Sequence, residues 1–243
     1  MFSPSYKLTD KMVRMLTEIA ESRAIIGRAK ILPAQELRLR RQALIRMTHA
    51  STSIEGNMLN LRQVEALCQH KKIDAPARDV YEVQNYLKAL RHITKIVEKK
   101  HAISEKVILK IHRLVTDKTL PDEQSGHYRK GMVYVVKRRL GFPDQIIYTA
   151  ATPQKVPQLV TDLINWIREP QTQEINPVVV AGIVHQEIAA IHPFADGNGR
   201  TARAVATLIL YQRGYDFRKL FALEDYYNNN RPEYYKAINI GEA

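Results

Sequence analysis

The chain has 243 residues, of which 45% are hydrophobic, and a net charge of +12; this is enough for one large globular domain. Its single cysteine, Cys68, excludes an intramolecular disulfide and is typical of a reducing compartment. There is no apolar run of about 18 residues and no secretory signal pattern, so we expect a cytoplasmic protein without a membrane span. The basic residues are dispersed and no nucleic-acid motif accompanies them, which disfavours nucleic acid as a partner.

Apolar residues recur at helical spacing along most of the chain, which predicts a mainly α-helical fold. Local signals support two of these helices, because Ser104 caps the fifth and Asn176 with Pro177 opens the seventh. We expect helices over residues 8–31, 34–55, 61–70, 79–100, 104–116, 156–167, 177–191, 200–213 and 231–243.

The second predicted helix ends in the sequence STSIEGN at residues 51–57. Ser51 and Glu55 are four residues apart and share one helix face, and Gly56 is a natural helix stop. A carboxylate at this end faces the negative pole of the helix dipole. We therefore expect Glu55 to have a cationic partner elsewhere in the chain; the alternative is an exposed glutamate before a turn.

Residues 132–148 depart from the helical pattern. Two short runs of β-branched and aromatic residues, 132–136 and 146–148, flank a segment with glycine and proline. This pattern predicts a β-hairpin. Because a two-stranded hairpin is marginally stable by itself, we expect it to lean on the helices. Its exposed edge could pair with an extended segment of another chain.

The most informative stretch is HPFADGNGRTAR at residues 192–203, between two predicted helices. A glycine-rich turn that opens a helix binds anions, since free N–H groups and the positive helix end point the same way. His192, just before the turn, can take a proton from a group that attacks the bound anion. Asp196 beside it can hold a divalent metal on phosphate oxygens. Together these features indicate nucleotide chemistry.

Three other interpretations of this stretch are weaker. Gly197-x-Gly199-x-x-Ala202 fits a dinucleotide-binding pattern, but that pattern requires a preceding strand, and here a helix precedes it. A metal cluster of histidines with Asp196 lacks the usual ligand spacing. A plain helix-loop-helix turn explains the glycines, but not the histidine, the aspartate and the two arginines together.

The same residues resemble the signature of a known family, the Fic proteins. The matching positions are His192, Phe194, Asp196, Gly197, Asn198, Gly199, Arg200 and Arg203. Ser51, Glu55 and Gly56 are similar to the inhibitory motif of the Fic class that carries an N-terminal inhibitory helix. The resemblance implies a Fic-type helical bundle with a small β-hairpin flap over the active site. It also implies a protein adenylyltransferase, which moves AMP from ATP onto a hydroxyl side chain of a target protein.

The resemblance implies roles for individual residues. His192 is the general base, Phe194 is a buried anchor, and Asp196 binds Mg²⁺. Tyr234 and Tyr235 lie beside the adenine, with packing of the last helix as the alternative. The residues implied to contact ATP are Glu55, Val133, Tyr134, Val135, Val136, Asp196, Gly197, Asn198, Gly199, Arg200, Thr201, Ala202, Arg203, Tyr234 and Tyr235.

Regulation and partners follow from the same resemblance. Glu55 pairs with Arg203 and takes the place of the ATP γ-phosphate, so that it restrains transfer, and it could also position water for removal of AMP. A target protein with a Ser, Thr or Tyr hydroxyl docks on the strand at 132–136, and homodimerisation stays open. We expect an N-terminal helical region over 1–60, with the inhibitory helix at about 35–56, and a catalytic core over 61–243. The alternative function is a nucleic-acid- or partner-binding regulatory module with a degenerate nucleotide site.

Overall fold

The computed structural model describes residues 1–137 and 145–238, and the predicted mainly α-helical fold is confirmed. The helices are α1 Asp10–Arg28, α2 Pro33–Ile54, α3 Leu61–Cys68, α4 Ala77–Glu98, α5 Glu105–Thr116, α6 Val156–Arg168, α7 Pro170–Glu174, α8 Pro177–Ile191, α9 Asn198–Gln212, α10 Leu223–Asn229 and α11 Arg231–Ile238. The strands are β1 Tyr134–Lys137 and β2 Gln145–Thr149.

The predicted helix ends are most accurate where a local cap defines them. Helix α8 has the predicted bounds, and the Asn176 side chain accepts a hydrogen bond from the N–H of Val178 at 2.9 Å. In α5 the Ser104 hydroxyl accepts from the N–H of Val107 at 3.4 Å. The other predicted helices are displaced by one to three residues at one or both ends, except that the predicted end of the last helix, residues 239–243, lies outside the described residues. Helices α7 and α10 are missing from the prediction, because five to seven residues are too few to display a helical period.

Helix α9 runs through the centre of the bundle. It packs against α8, α4 and α5, and nearly all its residues from Asn198 to Ile209 are buried. The core around it includes Tyr86, Ile93, Ile108, Ile111, Leu163, Val184, Ile188, Val205 and Leu208. The N-terminal end of α9 is therefore held rigidly by helices on several sides.

Helix α2 is fastened to this core along its C-terminal half. A second apolar cluster joins α2, α3 and α4 through Ile45, Leu59, Val64, Leu67, Val83 and Leu87. By contrast, α1 has no buried residue, and Arg218 holds its end by donating to the carbonyls of Ile26 and Ala29 at 3.3 and 2.8 Å. The boundary near residue 60 stays a prediction. Across the described ranges, no helix is both long and apolar enough to cross a membrane.

The hairpin forms at the predicted place. Strands β1 and β2 are antiparallel, with Tyr134 opposite Thr149, and the register shifts between Val135 and Val136. Residues 138–144 of the predicted hairpin lie outside the described residues.

Ile93 offers a test of the core. It is fully buried in α4, and we expect Ile93→Ala to lower the free energy of unfolding by about 2–5 kcal/mol, because it removes buried methyl groups and leaves a cavity. Ile25→Ala is the matched control, since Ile25 in α1 is 70% exposed; its effect should stay within about 0.5 kcal/mol. Chemical denaturation measures both, and equal effects would contradict this description of the core.

Candidate anion-binding site at the start of helix α9

Two left-handed residues make the turn between α8 and α9. His192 ends α8 with φ of 49°, and Gly197 precedes α9 with φ of 78°. A Cβ on Gly197 would lie 2.8 Å from Cγ2 of Thr116 in α5, so the position requires glycine for space as well as for conformation. The turn thus brings the histidine to the N-terminal end of α9.

Asn198 locks the loop with its side chain. Its Oδ1 accepts from the N–H of Phe194 and its Nδ2 donates to the carbonyl of Phe194, both at 2.9 Å. The ring of Phe194 is completely buried. The Asn198 amide is therefore used inside the loop, and any anion at this end of α9 would meet the backbone rather than that side chain.

His112 in α5 packs against the loop, and the sequence prediction gave it no role. Its ring stacks on Phe194 with centroids 3.7 Å apart. Nδ1 accepts from the N–H of Gly126 at 2.9 Å, so Nε2 carries the proton and donates to the carbonyl of Asp196 at 3.0 Å. Burial lowers the pKa of His112 to about 4, and the ring is neutral at neutral pH.

His192 has the geometry of a neutral base. Its Nδ1 lies 3.3 Å from the carbonyl of Ala189, which can only accept, so Nδ1 carries the proton and Nε2 keeps its lone pair. Burial lowers the pKa of His192 below its ordinary value, so the ring is neutral at pH 7. A neutral imidazole at this point can accept a proton.

Arg200 and Asp196 face each other across the first turn of α9. Nη2 of Arg200 is 3.4 Å from Oδ1 of Asp196, and Nη1 is 3.2 Å from Oε1 of Glu82 in α4. In the described part of the chain, Nε of Arg200 and Oγ1 of Thr201 are buried without a hydrogen-bond partner, and Nη1 of Arg200 is close to Glu82 but lacks hydrogen-bond geometry. Buried donors are normally satisfied, so this end of α9 is suited to an anion.

Arg203 is buried, and each of its terminal nitrogens has a partner. Nε donates to Oγ of Ser51 at 2.8 Å, Nη2 donates to the carbonyl of Ser51 at 2.9 Å, and Nη1 donates to the hydroxyl of Tyr234 at 2.9 Å. Burial favours the neutral form, but the nearby Tyr234 and Glu55 outweigh it and raise the pKa of Arg203 above its ordinary value. Arg203 is therefore a permanent cation.

Glu55 completes this cluster. Its Oε1 lies 2.7 Å from Nη2 of Arg203. A Cβ on Gly199 would collide with the same oxygen, so the Glu55 carboxylate lies directly over the first turn of α9. Gly56, with φ of 93°, ends α2 and turns the chain away, and Asn57 donates back to the carbonyl of Thr52 at 3.1 Å. A carboxylate from α2 thus lies where the helix end attracts an anion.

Arg129 joins the hairpin to the loop, and the sequence prediction gave it no role. Nε donates to the carbonyl of His192 at 2.7 Å, and Nη1 donates to that of Gly131 at 2.9 Å. Nη2 donates to the carbonyl of Ala151 beyond the second strand. On the same side, the hydroxyl of Tyr148 donates to the carbonyl of Ala190 in α8 at 2.9 Å. Both legs of the hairpin are anchored next to His192.

The remaining predicted residues are divided between the site and its surroundings. Thr201 and Ala202 are buried within α9. Val133 directly precedes β1, and Tyr134 is the first residue of that strand; the side chains of Val135 and Val136 are not among those described. Tyr234 is buried, and its hydroxyl also lies 3.1 Å from Nε2 of His185. Tyr235 is 46% exposed and donates to the carbonyl of Ile54 at 2.9 Å. Of the two tyrosines, only Tyr235 is exposed.

The fold and the site define an α-helical domain in which a histidine lies beside a helix N-terminus that is suited to an anion. A model of the Fic/DOC family matches residues 102–210. The crystal structure of a Fic family protein from Desulfovibrio desulfuricans G20 is similar, with a TM-score of 0.79 and 32% identity, over 98% of this chain and 68% of that one. The chain belongs to the Fic/DOC family, as the signature indicated.

Curated relatives are also similar over most of this chain. Protein adenylyltransferase fic-1 of Caenorhabditis briggsae is 29% identical over 208 residues, which cover 84% of this chain and 38% of that protein. Protein adenylyltransferase Fic of Nematostella vectensis is 27% identical over 243 residues, or 97% of this chain and 52% of that protein. The chain therefore spans about half or less of these two relatives.

His112 provides the test of the loop. His112→Ala removes the stacking on Phe194 and leaves the Gly126 N–H and the Asp196 carbonyl without partners, so we expect a loss of about 3 kcal/mol of stability. His127→Ala is the control, because His127 is exposed. Denaturant titration at pH 7 measures both; a change under about 1 kcal/mol at His112 would show that the loop does not depend on this ring.

The lowered pKa of His112 also predicts a pH dependence of stability. The pKa is about 4 in the folded chain and has its ordinary value of 6.5 in the unfolded chain, so the unfolded state binds more protons between pH 4 and 6.5. Its contribution to stability is therefore lost as the pH falls from 6.5 to 4. We expect acidification over that window to destabilise His112→Ala less than the wild-type chain.

Proposed function

We propose that this chain transfers AMP from ATP to a hydroxyl side chain of a protein, and that Glu55 restrains the transfer. The observation that carries the proposal is the Glu55 carboxylate bound to Arg203 over the first turn of α9. A helix N-terminus with two buried arginines is suited to phosphate groups, and a carboxylate in that position competes with them. The names of the curated relatives support the same activity.

The chemistry follows from the placement of His192. The hydroxyl oxygen of the target attacks the α-phosphorus of ATP, its proton passes to Nε2 of His192, the bond from that phosphorus to the bridging oxygen breaks, and pyrophosphate leaves. Arg200 and the backbone of α9 hold the phosphates in place, and Arg203 holds the γ-phosphate once Glu55 has left. An extended target segment pairs with the edge of β1 that faces away from β2, beside the anchored base of the hairpin.

Asp196 suits a divalent metal. Its side chain is 39% exposed and already attracts two cationic side chains, so it can serve as the single protein carboxylate of a Mg²⁺ ion whose other ligands are phosphate oxygens and water. Among the described residues there is no group of three or more acidic, histidine or cysteine side chains that could form a metal site without a ligand. Bound Mg²⁺ would neutralise charge on the phosphates.

His192→Ala tests the base. We expect transfer to fall by about 10²–10⁴-fold while nucleotide affinity and stability change little. Because burial lowers the pKa of His192 below 6.5, transfer by the wild-type chain should decline only below that pH. Mass spectrometry of the chain incubated with ATP and Mg²⁺ measures added AMP, with the exposed His101→Ala as control. Transfer by His192→Ala within threefold of wild type would exclude this role.

Glu55→Gly tests the restraint. We expect low basal transfer in the wild-type chain and an increase of about 10-fold or more in the variant. The reason is that Arg203 then makes its charge-assisted contact, which contributes about 1.5–3 kcal/mol, with ATP and no longer with the Glu55 carboxylate. Glu98→Gly is the control, because Glu98 also ends a helix and is 65% exposed.

Arg203→Ala helps to distinguish a transferase restrained by Glu55 from a regulatory module that has only a degenerate nucleotide site. The single variant should stay inactive, and in combination with Glu55→Gly it should abolish the gain, because Arg203 also holds the γ-phosphate. If Glu55→Gly changes neither transfer nor removal of AMP from a pre-modified target, the restraint is wrong. If no variant attaches AMP to any protein although ATP binds, the regulatory-module alternative replaces the proposed activity.

A further inference from the structure

One arginine outside every sequence motif contacts the proposed metal carboxylate. Arg78 lies near the start of α4, and its Nη2 donates to Oδ2 of Asp196 at 3.0 Å. The other carboxylate oxygen, Oδ1, is held by the N–H of Gly197 at 2.5 Å and by Arg200. Arg78 thus covers the one oxygen of Asp196 that the loop itself leaves available.

Glu82 holds Arg78 in this position. Its Oε1 accepts from Nε of Arg78 at 3.2 Å, and its Oε2 accepts from Nδ2 of Asn57 at 3.0 Å. Glu82 is buried, whereas the Arg78 side chain is 64% exposed. One nitrogen of the guanidinium is therefore fixed by a buried carboxylate, and its solvent-facing side reaches over Asp196.

We propose that Arg78 is a cationic plug on Asp196, which a divalent metal must displace before it can bind there. This inference rests on the proposed function. Mg²⁺ requires a carboxylate oxygen at about 2.0–2.1 Å, and a guanidinium on the same oxygen repels it. Because the Nε of Arg78 stays bound to Glu82 when a metal displaces Nη2 from Asp196, Arg78 can bind Asp196 again when metal and nucleotide leave.

The plug lies next to the restraint exerted by Glu55. Asn57, two residues after Glu55, is bound to the same Glu82 carboxylate and to the carbonyl of Asp79. Glu82 also lies beside Arg200. The turn after α2, the plug and the phosphate-binding arginine therefore share one buried anion, so that α2 and α4 together cover both the phosphate and the metal positions.

Nucleotide affinity with and without metal tests the plug without any transfer step. The probe is ADP, titrated calorimetrically in the presence of Mn²⁺ or of a chelator, and the readout is the ratio of the two dissociation constants. In Arg78→Ala we expect Mn²⁺ to strengthen ADP binding about fivefold more than in the wild-type chain, which corresponds to about 1 kcal/mol, the upper end of the range for an exposed ion pair.

Two controls make the comparison specific. Lys88→Ala removes another exposed cation of α4 that is paired with a carboxylate, Asp117 at 3.2 Å, and should leave the ratio unchanged. In the Asp196→Asn background, Arg78→Ala should no longer change the ratio. A gain that persists in that background would reflect general charge removal and would overturn the plug.

The remaining outcomes separate the plug from the proposed function. If Mn²⁺ strengthens ADP binding through Asp196 but Arg78→Ala leaves the ratio unchanged or lowers it, Arg78 is no plug and the proposed metal role stands. If Mn²⁺ has no effect on ADP binding in the wild-type chain or in Arg78→Ala, both the metal role of Asp196 and the plug are wrong.

Discussion

The buried guanidinium of Arg203 joins α9 to the end of α2 and to α11. A cation removed from water must be paired and hydrogen-bonded, and α9 alone offers Arg203 no such partners. They come from Ser51 and Glu55 at the end of α2 and from Tyr234 in α11. Ser51 and Glu55 lie 152 and 148 residues from Arg203 in sequence, and Tyr234 lies 31 residues from it. These contacts fasten α2 and α11 to the N-terminal half of α9.

The partners of Arg203 differ in how firmly they are held. Ser51 and Tyr234 are buried and neutral, while the Glu55 side chain is 32% exposed at the end of its helix. Glu55 is therefore the member that another anion could replace with the least disruption, since the neutral hydrogen bonds would still satisfy the remaining nitrogens. A phosphate is also an anion that pairs with the guanidinium fork, so under the proposed function Arg203 would bind either Glu55 or a phosphate of the nucleotide.

The loop before α9 is rigid for a different reason. The Asn198 side chain makes two hydrogen bonds with the backbone of Phe194 inside the loop, and the ring of Phe194 stacks on that of His112. Arg129 connects the same loop to both legs of the hairpin. The histidine, the helix end and the base of the hairpin are thus linked by direct contacts, while α2 and α4 contribute Glu55 and Arg78 to the same region.

The features with local causes could be predicted from the amino-acid sequence. Caps at Ser104 and Asn176 defined α5 and α8, and the contiguous run from His192 to Arg203 indicated an anion site because glycines, a helix start and charged residues act there within one turn. The contacts of His112, Arg78 and Arg129 with the loop could not be predicted, because these residues lie 84, 118 and 63 residues from their partners in sequence. A single histidine or arginine in a helical stretch gives the same sequence signal whether its side chain faces solvent or a group distant in sequence. Its partner depends on how the helices pack.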